Sequence, residues 1–260
     1  AALAEPESVP SARVLREIAA TPWPLRGLVH AAGVLDDGVV PQLTWEKFAR
    51  VGGPKVAGSW HLHRLTRELP LDWFVLFSSA TSLLGSPGQA NHAAANAFQD
   101  ALAHHRRARG LPTLSINWGP WSEIGAAAQR DFGARVKTKG IGTIAPAKGW
   151  RAWARLGEKL PTQVAVVPVN WPEVPANLTT APFFSEVRTA APAVAAEAAT
   201  PVEAWATLPR PERTARLLAE VRTEVARVLG LDGPGRVDPA QGFFALGLDS
   251  LTSVELRNRL

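Results

Sequence analysis

The sequence predicts an α/β fold, a doubly wound parallel sheet with helices on both faces, followed by a smaller all-α domain. Three observations carry this. Short, unbroken apolar runs such as Trp73-Phe74-Val75-Leu76-Phe77 are too brief for globular helices and fit strands buried on both faces. They alternate with segments of helical period, the pattern of right-handed crossovers in a parallel sheet. An Ala/Pro-rich stretch over residues 188–206, poor in large apolar side chains, reads as a linker, and helical periodicity resumes after it.

In chain order, Val14, Leu15 and Ile18 sit at helical spacing in a segment from Pro6 to Ala20, closed by Thr21-Pro22-Trp23-Pro24. Leu25 to Gly33 reads as a short buried strand. Thr44 is a predicted N-cap for a helix opening Trp45-Glu46-Lys47-Phe48; Gly52-Gly53-Pro54 interrupts it before Val56, Trp60, Leu62, Leu65 and Leu69 resume the period. The Trp73 run is the next strand. A long helix spans Asn91 to Arg109, with His and Arg residues near its negative end and Gly110 as its stop. Leu114 to Trp118 and Val164 to Val169 are further strands. Beyond the linker, Leu217, Leu218, Val221, Val225, Val228 and Leu229 mark one face of a helix from about Pro211 to Gly230, and Leu251 to Leu260 forms another.

With 260 residues, 46% of them hydrophobic, the chain has material for one good core and a second small domain. There is no cysteine, so disulfides and thiolate metal sites are excluded, and the His residues lack zinc-ligand spacing; no metal is expected. The net charge of +5 is dispersed along the sequence, which argues against nucleic-acid binding. No apolar run is long enough to span a bilayer and no signal-peptide pattern opens the chain, so a cytoplasmic location with no membrane association is expected.

Two constellations carry chemistry. In Phe243-Phe244-Ala245-Leu246-Gly247-Leu248-Asp249-Ser250-Leu251, a serine stands at the mouth of a helix after a Gly-containing loop, where free N–H groups and the helix dipole favour a phosphodiester. Taken alone, Asp-Ser before a helix is an ordinary cap. The whole string, however, resembles the attachment site of acyl carrier proteins, which implies 4'-phosphopantetheine on Ser250, loaded by a phosphopantetheinyl transferase. Val254 to Leu260 resembles that family's second helix, and the resemblance implies that the carrier continues beyond Leu260.

The second constellation consists of His30-Ala31-Ala32-Gly33-Val34-Leu35-Asp36-Asp37, Pro54-Lys55-Val56, Phe77-Ser78-Ser79, Gly88 to Phe98, and Ile116-Asn117-Trp118-Gly119-Pro120-Trp121. In this order the blocks resemble ketoreductases of modular (type I) polyketide synthases, members of the short-chain dehydrogenase/reductase superfamily. The resemblance implies a Rossmann-like sheet, here partial, and NADPH-dependent reduction of a carrier-bound β-ketoacyl thioester, in company with other domains of the same synthase. Ketone reduction needs donors on the carbonyl oxygen and an acid for the developing alkoxide. By this resemblance Ser79 holds the carbonyl, Lys55 tunes the acid and helps hold the cofactor, and Asn96 supports the proton relay. Ala31, Ala32, Gly33, Gly119 and Pro120 line the cofactor.

His92 stands where active members carry the acidic tyrosine, and the chain has no tyrosine at all. Two readings follow. In one His92 is a substitute proton donor; in the other the domain is a redox-inactive scaffold beside a working carrier. A neighbouring Lys55 is expected to lower the pKa of His92. Leu35-Asp36-Asp37 resembles the marker of B-type ketoreductases, with Asp37 beside the substrate entrance, and Leu84 occupies the position of the A-type tryptophan. Together these imply a D-configured β-hydroxyl, and Ala94 argues against prior epimerisation. No strand in the sequence is followed by a Gly-rich dinucleotide turn, so the cofactor loop and first strands are expected to belong to the parent protein upstream. The expected domains are therefore 1–187 ketoreductase, 188–206 linker and 207–260 carrier, with a mobile substrate-covering segment at Gly125 to Ile144. No Gly-x-Ser-x-Gly elbow is present, which disfavours a serine hydrolase.

Overall fold

The computed structural model describes residues 10–125, 140–159, 161–174, 182–184, 186, 205, 208–229, 231, 233–243, 245–248, 250–257 and 260. The chain divides into two compact units, one of residues 1–133 with 141–168, the other of residues 134–140 with 169–260. Apart from Trp205, the linker lies outside the described residues, as do residues 126–139 of the expected covering segment.

In the first unit, α1 (Pro10–Ala19) leads to β1 (Gly27–His30). The sequence suggests a longer, buried strand here, but β1 has four residues of which only His30 is buried, and Val29 is 52% exposed. The reason is its place at the sheet edge, where among the described residues it pairs with a single neighbour. Helix α2 (Trp45–Gly52) starts as expected from Thr44, whose side chain accepts from the Lys47 N–H. The Gly52-Gly53-Pro54 interruption is not a break. The chain passes through a π-helical turn, Gly53–Ala57, straight into α3 (Gly58–Thr66). Pro54 brings no N–H, and a widened turn accommodates that missing donor without ending the helix.

Strand β2 (Trp73–Ser79) runs two residues past the apolar run, and α4 (Thr81–Leu84) closes at Gly85, whose φ of 68° requires glycine. Helix α5 (Ala90–Arg107) ends two residues earlier than its periodicity suggests; the Leu111 N–H donates back to the Arg106 carbonyl around Gly110, an αL stop. Strand β3 (Leu114–Trp118) is buried throughout. Helix α6 (Pro146–Lys159) has no counterpart in the sequence reading, and β4 (Gln163–Val166) is shorter than the expected strand.

The sheet is parallel throughout, in the order β1-β2-β3-β4, with Ser79 level with Trp118 at the carboxyl edge. Alternation along β2 divides the core. Phe74 and Leu76 join Leu71, Leu102, Ala103 and the flanking Trp60 and Phe98 on one face, while Val75 joins Leu114, Ile116, Trp118 and Ile144, with Phe77, Trp153 and Leu156 of α6 packed on the other. Each large side chain so buried contributes about 1.5–3 kcal/mol. This is the doubly wound arrangement.

In the second unit, α7 (Arg210–Leu229) and α8 (Ser250–Arg257) share a core of Val225, Ala226, Val228, Val237, Leu248 and Leu256. The apolar face read for α7 is only half used. Leu217 and Leu218 remain 42% and 43% exposed, because the partners Val237, Leu248 and Leu256 meet the second half of the helix. Among the described residues no helix is long and apolar enough to cross a membrane.

Candidate functional site

The carboxyl ends of β1, β2 and β3 lie on one edge of the sheet, where doubly wound folds gather ligands. Lys55 reaches it from the π turn. Its Nζ donates to the carbonyl of Phe77 (2.8 Å), two residues before Ser79, and to Oε1 of Gln99 (3.1 Å). A ring of hydrogen bonds fixes it: Gln99 Nε2 donates to Ser59 Oγ (3.0 Å), and Ser59 Oγ donates to the Lys55 carbonyl. The turn itself is pinned by His30 at the end of β1, whose Nε2 lies 2.8 Å from the Pro54 carbonyl. Burial pushes the Lys55 ammonium down to about 8, with Asp100 opposing the shift.

His92 and Asn96 share one face of α5. Asn96 Nδ2 donates to the His92 carbonyl (2.7 Å), while among the described residues Asn96 Oδ1 and His92 Nδ1 are buried without partners. Burial first, and the positive charge of Lys55 second, push His92 down to about 4, so at neutral pH its imidazole is uncharged. Ser79 Oγ accepts from the Thr81 N–H (3.2 Å), the bond that turns the chain into α4. The structure thus gathers Lys55, His92, Asn96 and the end of β2 into one polar cluster.

Beneath it is a hub that sequence reading missed. Asp100 accepts from Ser115 Oγ (2.6 Å), Ser82 Oγ (2.7 Å) and Asn117 Nδ2 (2.8 Å), and Asn117 Nδ2 also lies 3.1 Å from Ser78 Oγ. The signal was present, since His92, Asn96, Gln99 and Asp100 recur at helical spacing on a face that meets the sheet. Asp37 lies on the loop after β1. Its carboxylate accepts from Gln89 Nε2 (3.3 and 3.4 Å), and its carbonyl accepts from Lys47 Nζ (2.8 Å). Asn91 Nδ2 donates to the Asp36 carbonyl (2.8 Å), tying the same loop to the start of α5. Leu84, half-buried, is the last residue of α4.

The cofactor candidates divide. Ala31, Ala32 and Gly33 are exposed beyond β1, and a Cβ on Gly33 would fall 3.1 Å from Cε of Lys55, so its bareness keeps a surface open over the lysine. Gly119 serves packing, because a Cβ there would meet the Val166 carbonyl and Val167 at 3.3 Å; Pro120 follows it at the edge. With His92 Nδ1 and Asn96 Oδ1 buried and unpartnered among the described residues, and Lys55 near His92, these residues fit the reactive end of a nicotinamide.

Residues 4–123 match the KR domain family and residues 219–260 match the phosphopantetheine attachment site family. Across 91% of its length the chain is 43% identical to polyketide synthase GfsB of Streptomyces halstedii and 44% identical to the spectinabilin polyketide synthase system protein NorB of Streptomyces orinoci. The chain is a ketoreductase (KR) domain followed by a phosphopantetheine carrier domain, and its relatives are polyketide synthases. It spans 4% of GfsB and 11% of NorB. In fold it is similar to an A-type ketoreductase from a modular polyketide synthase, with a TM-score of 0.62 and 34% identity over 72% of this chain and 41% of that one.

In the carrier domain, Ser250 is the first residue of α8 and follows the loop containing Gly247, whose φ is 97°. A serine opening a helix fits a phosphodiester anchor, since the first N–H groups of the helix lack intrahelical partners. Asp249 and Phe244 lie outside the described residues.

Proposed function

We propose that the ketoreductase domain reduces a β-ketoacyl thioester to the β-hydroxyacyl thioester, using NADPH, on a chain tethered to phosphopantetheine at Ser250. The observation that carries this reading is the buried Lys55, held to the Phe77 carbonyl near the end of β2 and close enough to His92 to depress its pKa. NADPH, when bound, would supply the hydride. Ala31, Ala32 and Gly33 would lie against the nicotinamide end, and Gly119 and Pro120 would shape the far side of that pocket.

Ser79 donates to the ketone oxygen in this reading. His92 is neutral, so it offers an imidazole N–H rather than an imidazolium, as a polarising donor that gives its proton to the more basic alkoxide. Asn96 supports the relay that restores the proton, and Lys55 keeps the edge positive as oxyanion charge develops. The Asp37 and Leu84 pattern supports B-type, D-configured reduction. The boundaries 1–187, 188–206 and 207–260 serve this scheme, because a flexible join raises the effective concentration of the tethered substrate. Loading by a phosphopantetheinyl transferase and a cytoplasmic setting belong to the same reading.

A second reading, a redox-silent scaffold beside a working carrier, is favoured by one observation: a histidine pushed down to about 4 is neutral at pH 7, and a neutral imidazole N–H is a far weaker acid than an imidazolium. An intact synthase module containing this sequence decides between them. Incubated with a β-ketoacyl thioester and NADPH, it is expected to give the β-hydroxyacyl product and to lose it in His92→Phe. An inert module that begins to reduce on His92→Tyr establishes the scaffold instead. Mass spectrometry with a phosphopantetheinyl transferase is expected to find the arm on wild type and not on Ser250→Ala.

A further inference from the structure

At the opposite end of α5, remote from His92, lies a second polar site. His105 is thirteen residues beyond His92, about 20 Å along the helix axis. A cavity of about 440 Å³ there is lined by Trp60, His63, Arg64, Arg67, Glu68, His105, Arg109 and Leu111. Its chemistry is lopsided. Arg106 NH1 donates to His63 Nδ1 (3.0 Å), and Arg109 NH1 donates to His105 Nδ1 (3.0 Å). A guanidinium only donates, so both imidazoles must accept at Nδ1 and keep their proton on Nε2. The indole of Trp60 is also donor-only. The lining therefore presents the guanidiniums of Arg67 and Arg109, two imidazole N–H groups and an indole N–H, beside an Arg64 that is already engaged. Among the described residues Glu68 is its one carboxylate, and its Oε1 already lies 3.3 Å from Arg67 Nε.

Behind the lining, Arg106 is 1% exposed, stacked 3.7 Å over Phe74, and among the described residues its Nε has no partner. Among those residues none of its hydrogen bonds is to a carboxylate; NH2 goes to the Pro112 carbonyl (3.3 Å). Its own pKa is pushed down to about 10 by burial, with no acidic group opposing it. The field converges on His63, which burial and then Arg106, His105, Arg67 and Arg109 together push down to about 4.

We propose that this cavity binds a compact oxyanion of the phosphate type, free or as a phosphate monoester, whose oxygens accept from Arg67, Arg109 and the Nε2–H groups of His63 and His105. A tetrahedral oxyanion is all acceptor, supplies the negative charge the cluster lacks, and is small enough to enter beside Trp60. The ketoreductase chemistry uses none of these residues.

Calorimetric titration of the full chain with inorganic phosphate, and separately with glycerol 3-phosphate, at low and constant ionic strength tests this. Saturable one-site binding with a Kd of about 1 mM or tighter is expected, weakened about tenfold or more in Arg67→Ala and in Arg109→Ala. Both are surface changes, and unaltered far-UV circular dichroism confirms that the variants fold. Preference between the two probes distinguishes free phosphate from an esterified ligand. On binding, the ring signals of His63 and His105 shift in NMR spectra and the His63 titration moves to higher pH. Absence of saturable heat up to roughly 20 mM phosphate overturns the proposal, as does binding that both Arg variants retain in full.

Discussion

The two ends of α5 each adjoin a histidine in nearly the same electrostatic position, His92 on α5 itself and His63 on α3, and surround it with opposite chemistry. His92 and His63 are each pushed down to about 4, by burial first and neighbouring cations second. At the His92 end the cation is matched, since Lys55 Nζ has two acceptors in Phe77 and Gln99, and Asp100 takes up three further donors. At the His63 end, among the described residues, the donors of Arg67, Arg106 and Arg109 outnumber the acceptors, and Arg106 has no carboxylate among its bonds. At the first end the buried charge is matched, and what is left open among the described residues, His92 Nδ1 and Asn96 Oδ1, is uncharged. The second is electrostatically incomplete and arranged for an anion.

The largest effect is expected from unmatching the first end. Lys55→Met in an intact module removes the buried charge and leaves the Phe77 carbonyl and Gln99 Oε1 without a donor; kcat/KM for ketoreduction is expected to fall by about 100-fold or more. Arg109→Ala, at the other end, is expected to leave it within about twofold. Equal losses in the two variants would erase the distinction drawn between the ends.

Asp100→Asn comes next. The amide cannot accept all three donors now directed at the carboxylate, so urea unfolding of the chain is expected to show a loss of about 2–3 kcal/mol. An unchanged midpoint would mean that the hub is not under tension from those donors.

The pH dependence is smaller. An unfolded imidazole takes up its proton near pH 6.5, whereas folded His92 and His63 resist until about pH 4. The unfolded state therefore binds more protons in that window, and stability falls as pH drops from 7 towards 4. His92→Asn is expected to reduce the difference in unfolding free energy between pH 7 and pH 5 by about 1–2 kcal/mol, measured by urea denaturation at the two values. Smallest is Gln99→Leu, which removes one acceptor from the ammonium. Lys55 then loses its proton at lower pH, and the basic limb of the reduction profile shifts to lower pH with little change at its plateau.

Several features were legible because they are local. Thr44 caps α2 through its own side chain, β3 coincides with the run Leu114 to Trp118, and Ser250 opens a helix after a glycine of positive φ. Others were not legible. The Gly52-Gly53-Pro54 break becomes a π turn that runs on into α3, and His30 from a distant strand holds its Pro54 carbonyl. The apolar face of α7 is half exposed because periodicity marks what a helix can bury, not how much its partners cover.

The sequence by itself determined the alternation of strand and helix, the order of the ketoreductase and carrier segments, and the identity of Ser79, Lys55, Asn96 and Ser250 as candidates, because periodicity, caps and motif spacing are properties of neighbouring residues. Only the tertiary structure decided which charges meet. Arg67, Arg106 and Arg109, scattered as a basic surplus along the chain, converge around His63, and Lys55 finds Gln99 forty-four positions away. The physical reason is that a side chain's charge and proton depend on burial and on groups brought together across the sheet, and no spacing along one strand or helix encodes those distances.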